Sequence, residues 1–232
     1  MNNLDGKVAL VTGAKGGLGS VVTEAFLAAG AQVVGVSRSI QTGRFAHPRM
    51  AVLAADLTKS EAARQAAAEV VARFGRIDAL VHVMGGFAGG QSVADTDDAT
   101  MEAMLDLNYR AAFFMARAVL PQMRKQGSGR ILAVASRQGV EPAAMTAAYS
   151  ASKAALVALV RTIALENKDG GIAANTVLPA TMDTPGNRGG DANAGHGQWV
   201  DPAQVAELLV YLASDAAAQI TGAAIPVYGR QA

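Results

Sequence analysis

Residues 7–29, KVALVTGAKGGLGSVVTEAFLAA, carry the main signal for the fold. An apolar run suited to a buried strand, Lys7 to Val11, leads into a glycine-rich turn, Thr12 to Gly19, and then an alanine-rich helical stretch, Ser20 to Ala29. Glycines let such a turn approach a ligand closely, and the N-terminus of the following helix stabilises negative charge. A glycine-rich turn can also be a plain connection, but its place between strand and helix predicts a phosphate-binding turn.

Short β-branched runs alternate with longer helical patterns along the rest of the chain. This alternation predicts an α/β protein with a parallel sheet covered by helices on both faces. Helix starts are marked by a capping box, Thr58-Lys59-Ser60-Glu61, and by Asp201-Pro202, an N-cap before a proline at the first helical position. The predicted strands span residues 7–12, 31–37, 50–55, 78–83, 130–135, 172–178 and 223–228.

Composition limits the possible functions. With 51% hydrophobic residues, the 232-residue chain can form one domain, 1–232, around a sizeable core. Its net charge of +1 and scattered basic residues argue against nucleic-acid or membrane binding, so the expected partners are small molecules or copies of itself. Zero cysteines exclude disulfides and thiolate catalysis, and the three histidines are too dispersed for a metal site.

Two further features concern location and chain path. The N-terminus lacks a signal peptide, and the apolar stretch from Ala154 to Leu165 is interrupted by Arg161 and too short to span a bilayer, so we expect a soluble, cytoplasmic protein. Between the second and third strands, Gly43 and Pro48 break up the connection. The crossover there is therefore predicted to be abbreviated.

Ser136, Tyr149 and Lys153 are the candidate reactive residues. Tyr149 and Lys153 are four positions apart in a helix-favouring run, so their side chains share one face. The lysine ammonium could lower the pKa of the phenol. A tyrosine acting as an acid or base near neutrality needs its phenolate stabilised by about 4 kcal/mol. The alternative is an ordinary pair on a helix surface.

These segments together resemble the short-chain dehydrogenase/reductase family over essentially the whole chain. The family's glycine pattern T-G-x-x-x-G-x-G falls on Thr12, Gly13, Gly17 and Gly19, and its catalytic Asn, Ser, Tyr and Lys fall on Asn108, Ser136, Tyr149 and Lys153. The resemblance implies a single-domain Rossmann fold with a seven-stranded parallel sheet. It also implies hydride transfer between a nicotinamide and a substrate carbon.

The resemblance assigns each of these side chains a role. Tyr149 would move the proton, Ser136 would hold the substrate oxygen, Lys153 would bind the nicotinamide ribose and tune Tyr149, and Asn108 would position a water. A homo-oligomer, a tetramer or dimer, would form through Ala- and Met-rich helix faces around 97–125 and 146–166. Those faces could instead be ordinary core.

Cofactor preference depends on the end of the second strand. An NAD site usually places an acid there, whereas this chain has Ser37-Arg38, and Lys15 adds a nearby cation, so we expect NADP, with NAD as the alternative. Asp56 matches the family's adenine-binding aspartate, although it could also cap the next helix. The remaining residues expected at the cofactor are Leu18, Leu57, Gly85, Pro179, Met182 and Thr184.

The substrate side departs from the commonest family pattern. The fourth strand ends in His82-Val83-Met84-Gly85 instead of N-N-A-G, and His82 is interpreted as a packed, hydrogen-bonded stand-in for asparagine. Gly85 to Gly90, GGFAGG, and Val177 to Arg188, VLPATMDTPGNR, resemble dihydropteridine reductases. Against that branch, this chain has Ser136 and lacks an acid at position 37.

A glycine-rich segment after the sixth strand is interpreted as a substrate lid, about 184–200. From Thr184 to Gln198 five of fifteen residues are glycine, so no regular helix is expected there. Phe87 and Trp199 are candidates to stack on a flat substrate, or else part of the core.

Three functions remain open from the sequence. The leading one is an NADPH-dependent carbonyl reductase or alcohol dehydrogenase. The second is a reductase of a pterin or another C=N substrate. The third is a non-catalytic NADP-binding sensor, which would be expected to lack part of the proton-transfer set, and Asn108, Ser136, Tyr149 and Lys153 are all present.

Overall fold

The computed structural model describes residues 4–40, 45–190 and 196–231. The strands are β1 (Val8–Thr12), β2 (Gln32–Ser37), β3 (Met50–Ala54), β4 (Ala79–His82), β5 (Gly129–Val134), β6 (Ile172–Pro179) and β7 (Ala224–Val227). The α-helices are α1 (Gly17–Ala28), α2 (Ser60–Phe74), α3 (Asp98–Leu105), α4 (Ala111–Gln126), α5 (Ala147–Asn167), α6 (Pro185–Gly190) and α7 (Pro202–Ala213), with a π-helical turn at Asp106–Arg110 between α3 and α4.

The described strands form one seven-stranded sheet in the order β3-β2-β1-β4-β5-β6-β7, and every neighbouring pair is parallel. All seven predicted strands and the α/β fold class are confirmed. The central strands β1, β4 and β6 are buried along their whole length, which explains why their sequences are continuous apolar runs instead of alternating ones.

The core lies in two layers, one on each face of the sheet. Helices α2, α4 and α5 cover one face, where Leu10, Met115 and Leu156 are fully buried. Helices α1 and α7 cover the other face, with Phe26 and Leu209 at its centre. Burial on both faces leaves the carboxyl ends of the strands as the place where a ligand can reach the sheet.

The chain changes direction in the sheet between β1 and β4, because β2 lies on one side of β1 and β4 on the other. At this switch point the glycine turn after β1 touches the loop after β4. Gly13 has a φ of +68°, and a Cβ there would lie 2.9 Å from the Met84 backbone. Only glycine allows this approach, and the contact fixes the floor of the opening between the two strands.

One of the predicted helix-start signals differs from the structure. The capping box at Thr58 is wrong: α2 begins at Ser60, and its N-cap Lys59 makes no side-chain cap. Asp56 instead accepts hydrogen bonds from Thr58 N and Oγ1, which stabilises the turn before α2. The crossover between β2 and β3 has no helix within residues 38–40 and 45–49, and residues 41–44 lie outside the described part. Asp201 caps α7 as predicted, accepting from Ala203 N.

The segment after β6 contains a short helix, so the expectation that no regular helix forms there is wrong. Residues 185–190 form α6, and 191–195 lie outside the described residues. Thr184 Oγ1 accepts from Asn187 N at 3.3 Å, and Arg188 forms a two-point ion pair with Asp183. These local contacts offset the weak helix propensity of the glycines.

Helix α5 with the turn after it, Ala147–Gly170, is long and apolar enough to cross a membrane by length and composition alone, with a mean hydropathy of 1.3. It is longer than the stretch considered in the sequence. Its apolar face is buried against the sheet, with Leu156 and Val160 in the core. A core helix accounts for this hydropathy.

The turn between α5 and β6 provides a test of the backbone geometry. Gly171 has a φ of +70°, and a Cβ there would lie 2.3 Å from the Gly127 carbonyl oxygen, whereas a Cβ at Gly170 meets nothing within 4 Å. We expect Gly171→Ala to lower the free energy of unfolding by at least about 1–2 kcal/mol, the cost of left-handed backbone.

Gly170→Ala is the matched control and should stay within about 0.5 kcal/mol of wild type in urea unfolding. Equal stabilities for the two variants would contradict the described turn.

Candidate functional site

A cleft of about 1160 Å³ opens at the switch point. Its walls come from the glycine turn, the ends of β2, β4 and β5, the start of α5 and the segment after β6. Most predicted cofactor and substrate residues line it: Gly13, Lys15, Gly17, Leu18, Gly19, Ser37, Arg38, Leu57, Gly85, Phe87, Ser136, Tyr149, Lys153, Pro179, Met182, Thr184 and Trp199.

Thr12, Asp56 and Asn108 do not line the cleft. The Thr12 hydroxyl is fully buried, accepts from Met84 N and pairs with His82 Nδ1, so it braces β1 against β4. Asp56 Oδ1 accepts a hydrogen bond from Thr58 Oγ1, and this bond is the main cause that lowers the pKa of the Asp56 carboxyl group. Both side chains therefore support the walls of the cleft from behind.

Ser136, Tyr149 and Lys153 meet in the cleft. Ser136 follows β5, and Tyr149 and Lys153 lie one turn apart on α5. The Tyr149 side chain hydrogen-bonds with Ser136, and Lys153 Nζ lies 5.9 Å from the centre of the tyrosine ring. Lys153 is only 5% exposed, and its Nζ donates to the Val134 carbonyl oxygen at 2.9 Å. The shared helix face predicted from the sequence is therefore present.

The predicted lowering of the Tyr149 pKa by Lys153 is wrong for the protein as it stands. Burial raises the pKa of Tyr149 above its ordinary value of 10.0, and the hydrogen bond with Ser136 opposes this only in part. Burial also lowers the pKa of Lys153 to about 8. Both groups lose water, which disfavours their charged forms, and the Lys153 ammonium is directed to Val134.

Asn108 lies in the π-helical turn between α3 and α4 and is fully buried. Its Oδ1 accepts from Gly86 N, and its Nδ2 donates to Gly86 O and to Ser152 Oγ, all at 3.0 Å. Ser152 Oγ in turn donates to the Tyr149 carbonyl oxygen. Asn108 therefore ties the loop after β4 to the helix that carries Tyr149 and Lys153.

His82 is packed and hydrogen-bonded, as its interpretation as an asparagine stand-in predicted. It is 1% exposed, and its Nδ1 lies 3.0 Å from Thr12 Oγ1. Burial, with a smaller contribution from the Lys153 charge, lowers the pKa of His82 to about 3. The imidazole is therefore neutral at ordinary pH.

The segment after β6 closes the cleft on the side opposite β4. The Met182 carbonyl oxygen accepts from Asn187 Nδ2 and from Thr184 N, and these hydrogen bonds hold the segment in a tight turn. A Cβ at Gly17 would lie 3.1 Å from Thr184 Cβ, so this segment packs directly on the glycine turn.

A polar cluster next to Ser136 was missed in the sequence. Arg137 Nε donates to Glu141 Oε2 at 2.7 Å, its Nη1 donates to the Gln231 carbonyl oxygen, and its guanidinium lies 4.8 Å from the centre of the Tyr228 ring. Arg137, Gln138 and Gln231 all line the cleft. The position of Arg137 and Gln138 directly after Ser136 was a usable signal, whereas nothing local in the sequence links Gln231 to this wall.

Phe87 lies at the mouth of the cleft and is not core, since 65% of it is exposed. Its ring centre lies 5.0 Å from that of Tyr149, with 73° between the ring planes. Trp199 lines the cleft and is half-buried.

Comparison with known proteins agrees with this geometry. Residues 7–194 match the sequence profile of the short chain dehydrogenase family. The chain is 34% identical to a D-threitol dehydrogenase of Mycolicibacterium smegmatis, over 97% of this chain and 93% of that protein. It is 32% identical to the 2,5-dichloro-2,5-cyclohexadiene-1,4-diol dehydrogenase LinX of Sphingobium indicum, over 98% and 97%. The crystal structure of gox2181 superposes with a TM-score of 0.92 at 29% identity, over 99% of this chain and 96% of that one.

The chain therefore belongs to the short-chain dehydrogenase/reductase family, whose members are oxidoreductases that bind a nicotinamide dinucleotide. The cleft fits such a group. A Cβ at Gly19 would lie 2.0 Å from the Gly13 carbonyl oxygen, so the turn is drawn tightly against the start of α1, and the helix N-terminus faces the space that a pyrophosphate needs. Lys15 and Arg38 supply positive charge at the same end.

The buried lysine predicts a pH dependence of stability. Lys153 has a pKa of about 8 in the folded protein against an ordinary value of 10.5, so the unfolded chain binds more protons at this group between those two values. The cost of burying the charge is present below pH 8 and disappears as the pH rises towards 10.5. Relative to Lys153→Met, the free energy of unfolding of wild type should therefore rise by about 3 kcal/mol between pH 8 and 10.5.

Urea unfolding of both proteins at a series of pH values measures this difference. Parallel stability curves would mean that Lys153 titrates normally and is not buried as described.

Proposed function

We propose that this protein is an NADP(H)-dependent dehydrogenase/reductase that acts on a small-molecule alcohol or carbonyl, with Tyr149 as the general acid and base. One observation carries the proposal: Tyr149, Ser136 and Lys153 share the wall of a cleft whose other end is a glycine turn suited to a pyrophosphate. The named activities of the two relatives, both dehydrogenases of diols or polyols by name, support the same reaction class.

Each residue has a distinct task in this proposal. Ser136, hydrogen-bonded with Tyr149, holds the substrate oxygen beside the phenol. Tyr149 donates its proton to that oxygen during reduction and accepts it during oxidation. Lys153 holds the nicotinamide ribose, and Asn108 keeps the loop after β4 and helix α5 in register. The nicotinamide supplies or accepts the hydride.

The raised pKa of Tyr149 is consistent with this role. A neutral phenol is the acid needed for reduction, and the loss of water around the half-buried Tyr149 favours this neutral form. We propose that the oxidation direction becomes available only with the dinucleotide present. Lys153, which would hold the ribose, would then favour the ionised form of the nearby phenol.

The proposed preference for NADP rests on the charges near the end of β2. Arg38 is exposed and lines the cleft, and Lys15 Nζ donates to Ser39 Oγ at 2.9 Å. Lys15 N donates to Ser37 Oγ, which keeps the glycine turn close to Arg38. A phosphate placed there meets two cations, and the serine avoids the repulsion that an acid would cause.

We also propose a cytoplasmic homo-oligomer, a tetramer or dimer, built on the helices around 97–125 and 146–166. Phe113 on α4 and Leu165 on α5 remain exposed in the single chain, which supports a contact between subunits. Sedimentation analysis that gives a monomer at micromolar concentration would contradict this assembly.

Replacing the proton donor tests the reaction. Tyr149→Phe should lower kcat on the order of a hundredfold or more, because it removes the hydroxyl and little volume. The dissociation constant for the cofactor should stay close to wild type. Nicotinamide absorbance, followed with ketones, ketoacyl thioesters, sugar acids and quinonoid dihydropterin, measures turnover and separates carbonyl from C=N reduction. Near-wild-type turnover by the variant would refute the role of Tyr149.

Replacing Arg38 tests the cofactor independently. Arg38→Ala should weaken NADPH binding by about 1.5–3 kcal/mol, the usual range for hydrogen bonds to a charged group, and leave NADH almost unchanged. Calorimetric titration with the two nucleotides measures both affinities. Equal losses for both would assign Arg38 a structural role, with no part in selecting the phosphate.

A further inference from the structure

An apolar shelf, the exposed ring of Phe87, lies beside Tyr149 at the mouth of the cleft, and Met145 adjoins the Phe87 loop without lining the cleft. Phe87 is 65% exposed and Met145 is 48% exposed, although both are large apolar side chains. Phe87 lines the cleft and touches the Tyr149 ring edge-on, with ring centres 5.0 Å apart. Apolar surface left open next to a reactive group is suited to the apolar part of a ligand.

The position of the Phe87 ring is fixed by its own loop. A Cβ at Gly89 would lie 2.8 Å from Phe87 Cζ and 3.2 Å from the Met145 carbonyl oxygen, so the ring tip occupies the space that glycine leaves. Gly90 N donates to the same Met145 oxygen at 2.8 Å. The loop after β4 and the residues before α5 are thereby joined directly under the shelf.

Met145 holds an unfavourable backbone conformation to make this connection. Its φ of +63° is the sole positive value of a non-glycine among the described residues. Such strained residues cluster where a ligand is held, because the surrounding contacts must maintain them. Here the carbonyl group of the strained residue, Met145, joins the loop after β4 to the residues before α5. This connection sets the distance between Phe87 and Tyr149.

The charges near Ser136 indicate what the shelf does not bind. Two charged side chains among the described cleft-lining residues follow β5. Arg137 is already paired with Glu141 and with the Gln231 carbonyl oxygen, and Lys153 donates to the Val134 carbonyl oxygen and is assigned to the ribose. Lys15 and Arg38 lie at the glycine-turn end. A charged group on the substrate would therefore lose water without gaining a free partner.

We infer that the preferred substrate is an uncharged ketone with its carbonyl attached directly to a planar, unsaturated ring, or the matching alcohol, and that the shelf holds this ring. The inference rests on the proposed function. Because the Phe87 and Tyr149 rings are in contact, a flat ring packed on Phe87 lies next to the phenol. A carbonyl group bonded directly to that ring is then close to the phenol hydroxyl. The Tyr149 proton then goes to the carbonyl oxygen as hydride from the reduced nicotinamide adds to the carbon.

The test compares acetophenone with cyclohexyl methyl ketone, which share a skeleton and differ in the planarity of the ring. Values of kcat/KM with NADPH are measured for wild type, Phe87→Leu, Gly89→Ala and Val93→Ala. The ratio between the two ketones in each variant is divided by the wild-type ratio, which removes their intrinsic difference in reactivity.

Phe87→Leu should lower this ratio about fivefold or more, because it keeps apolar volume and removes the flat face. Gly89→Ala should also lower it with Phe87 still present, since the new methyl group displaces the ring. Val93→Ala is the control, because Val93 is 78% exposed and lies outside the cleft wall. The melting temperature of each variant is measured as well. If it is unchanged, the change in the ketone ratio is assigned to the shelf and not to a loss of stability.

Binding without turnover separates this inference from the proposed function. Saturation-transfer NMR of the two ketones with NADP⁺ bound measures their affinities when no reduction occurs. Loss of acetophenone preference in Phe87→Leu supports the shelf even if no ketone is reduced, a result that would overturn the proposed function alone. Reduction of both ketones with an unchanged ratio in a stable Phe87→Leu variant would overturn the shelf and leave the function standing.

Discussion

The site depends on the energetically unfavourable burial of the Lys153 ammonium group at the end of β5. Burial of the charge is partly compensated by the Val134 carbonyl oxygen, which lies one residue beyond the end of the β4–β5 ladder at the His82–Ala133 pair. The compensation is incomplete, because burial still lowers the pKa of Lys153 to about 8. A ligand that offers hydroxyl oxygens to Lys153 would therefore bind where the protein itself lacks acceptors.

The neighbouring groups are arranged around this lysine. Asn108 and Ser152 hold α5 against the loop after β4. Gly85 leaves room for the Asn108 and Lys153 side chains, since a Cβ there would lie 2.7 Å from Asn108 Oδ1 and 3.1 Å from Lys153 Nζ. Tyr149 is half-buried beside Lys153, and this loss of water is the main cause that raises the pKa of Tyr149 in the protein alone. The fold thus supplies a neutral acid, and the proposed mechanism assigns to the bound dinucleotide the remaining stabilisation of the phenolate.

The sheet and the glycine turn could be predicted from the sequence, because strands that are buried on both faces are continuous apolar runs and the turn has a local signature. Tyr149 and Lys153 were predictable for a similar reason, since their spacing alone puts them on one helix face. Asn108 needed the family resemblance, because a π-helical turn has no sequence pattern that marks it. Helix α6 was missed because propensity ignores the Asp183–Arg188 pair, and Gln231 was missed because its contact with Arg137 joins distant parts of the chain.

The central claim is that the half-buried Tyr149 is a neutral acid in the protein alone and becomes an available base once the dinucleotide is bound. Ultraviolet difference titration of tyrosine ionisation, in wild type and Tyr149→Phe, with and without NADP⁺, tests it directly. The account predicts that NADP⁺ creates a tyrosine titration well below pH 10 that Tyr149→Phe lacks, and that without NADP⁺ the residue missing from the variant titrates above 10. Identical titrations with and without NADP⁺ would contradict it.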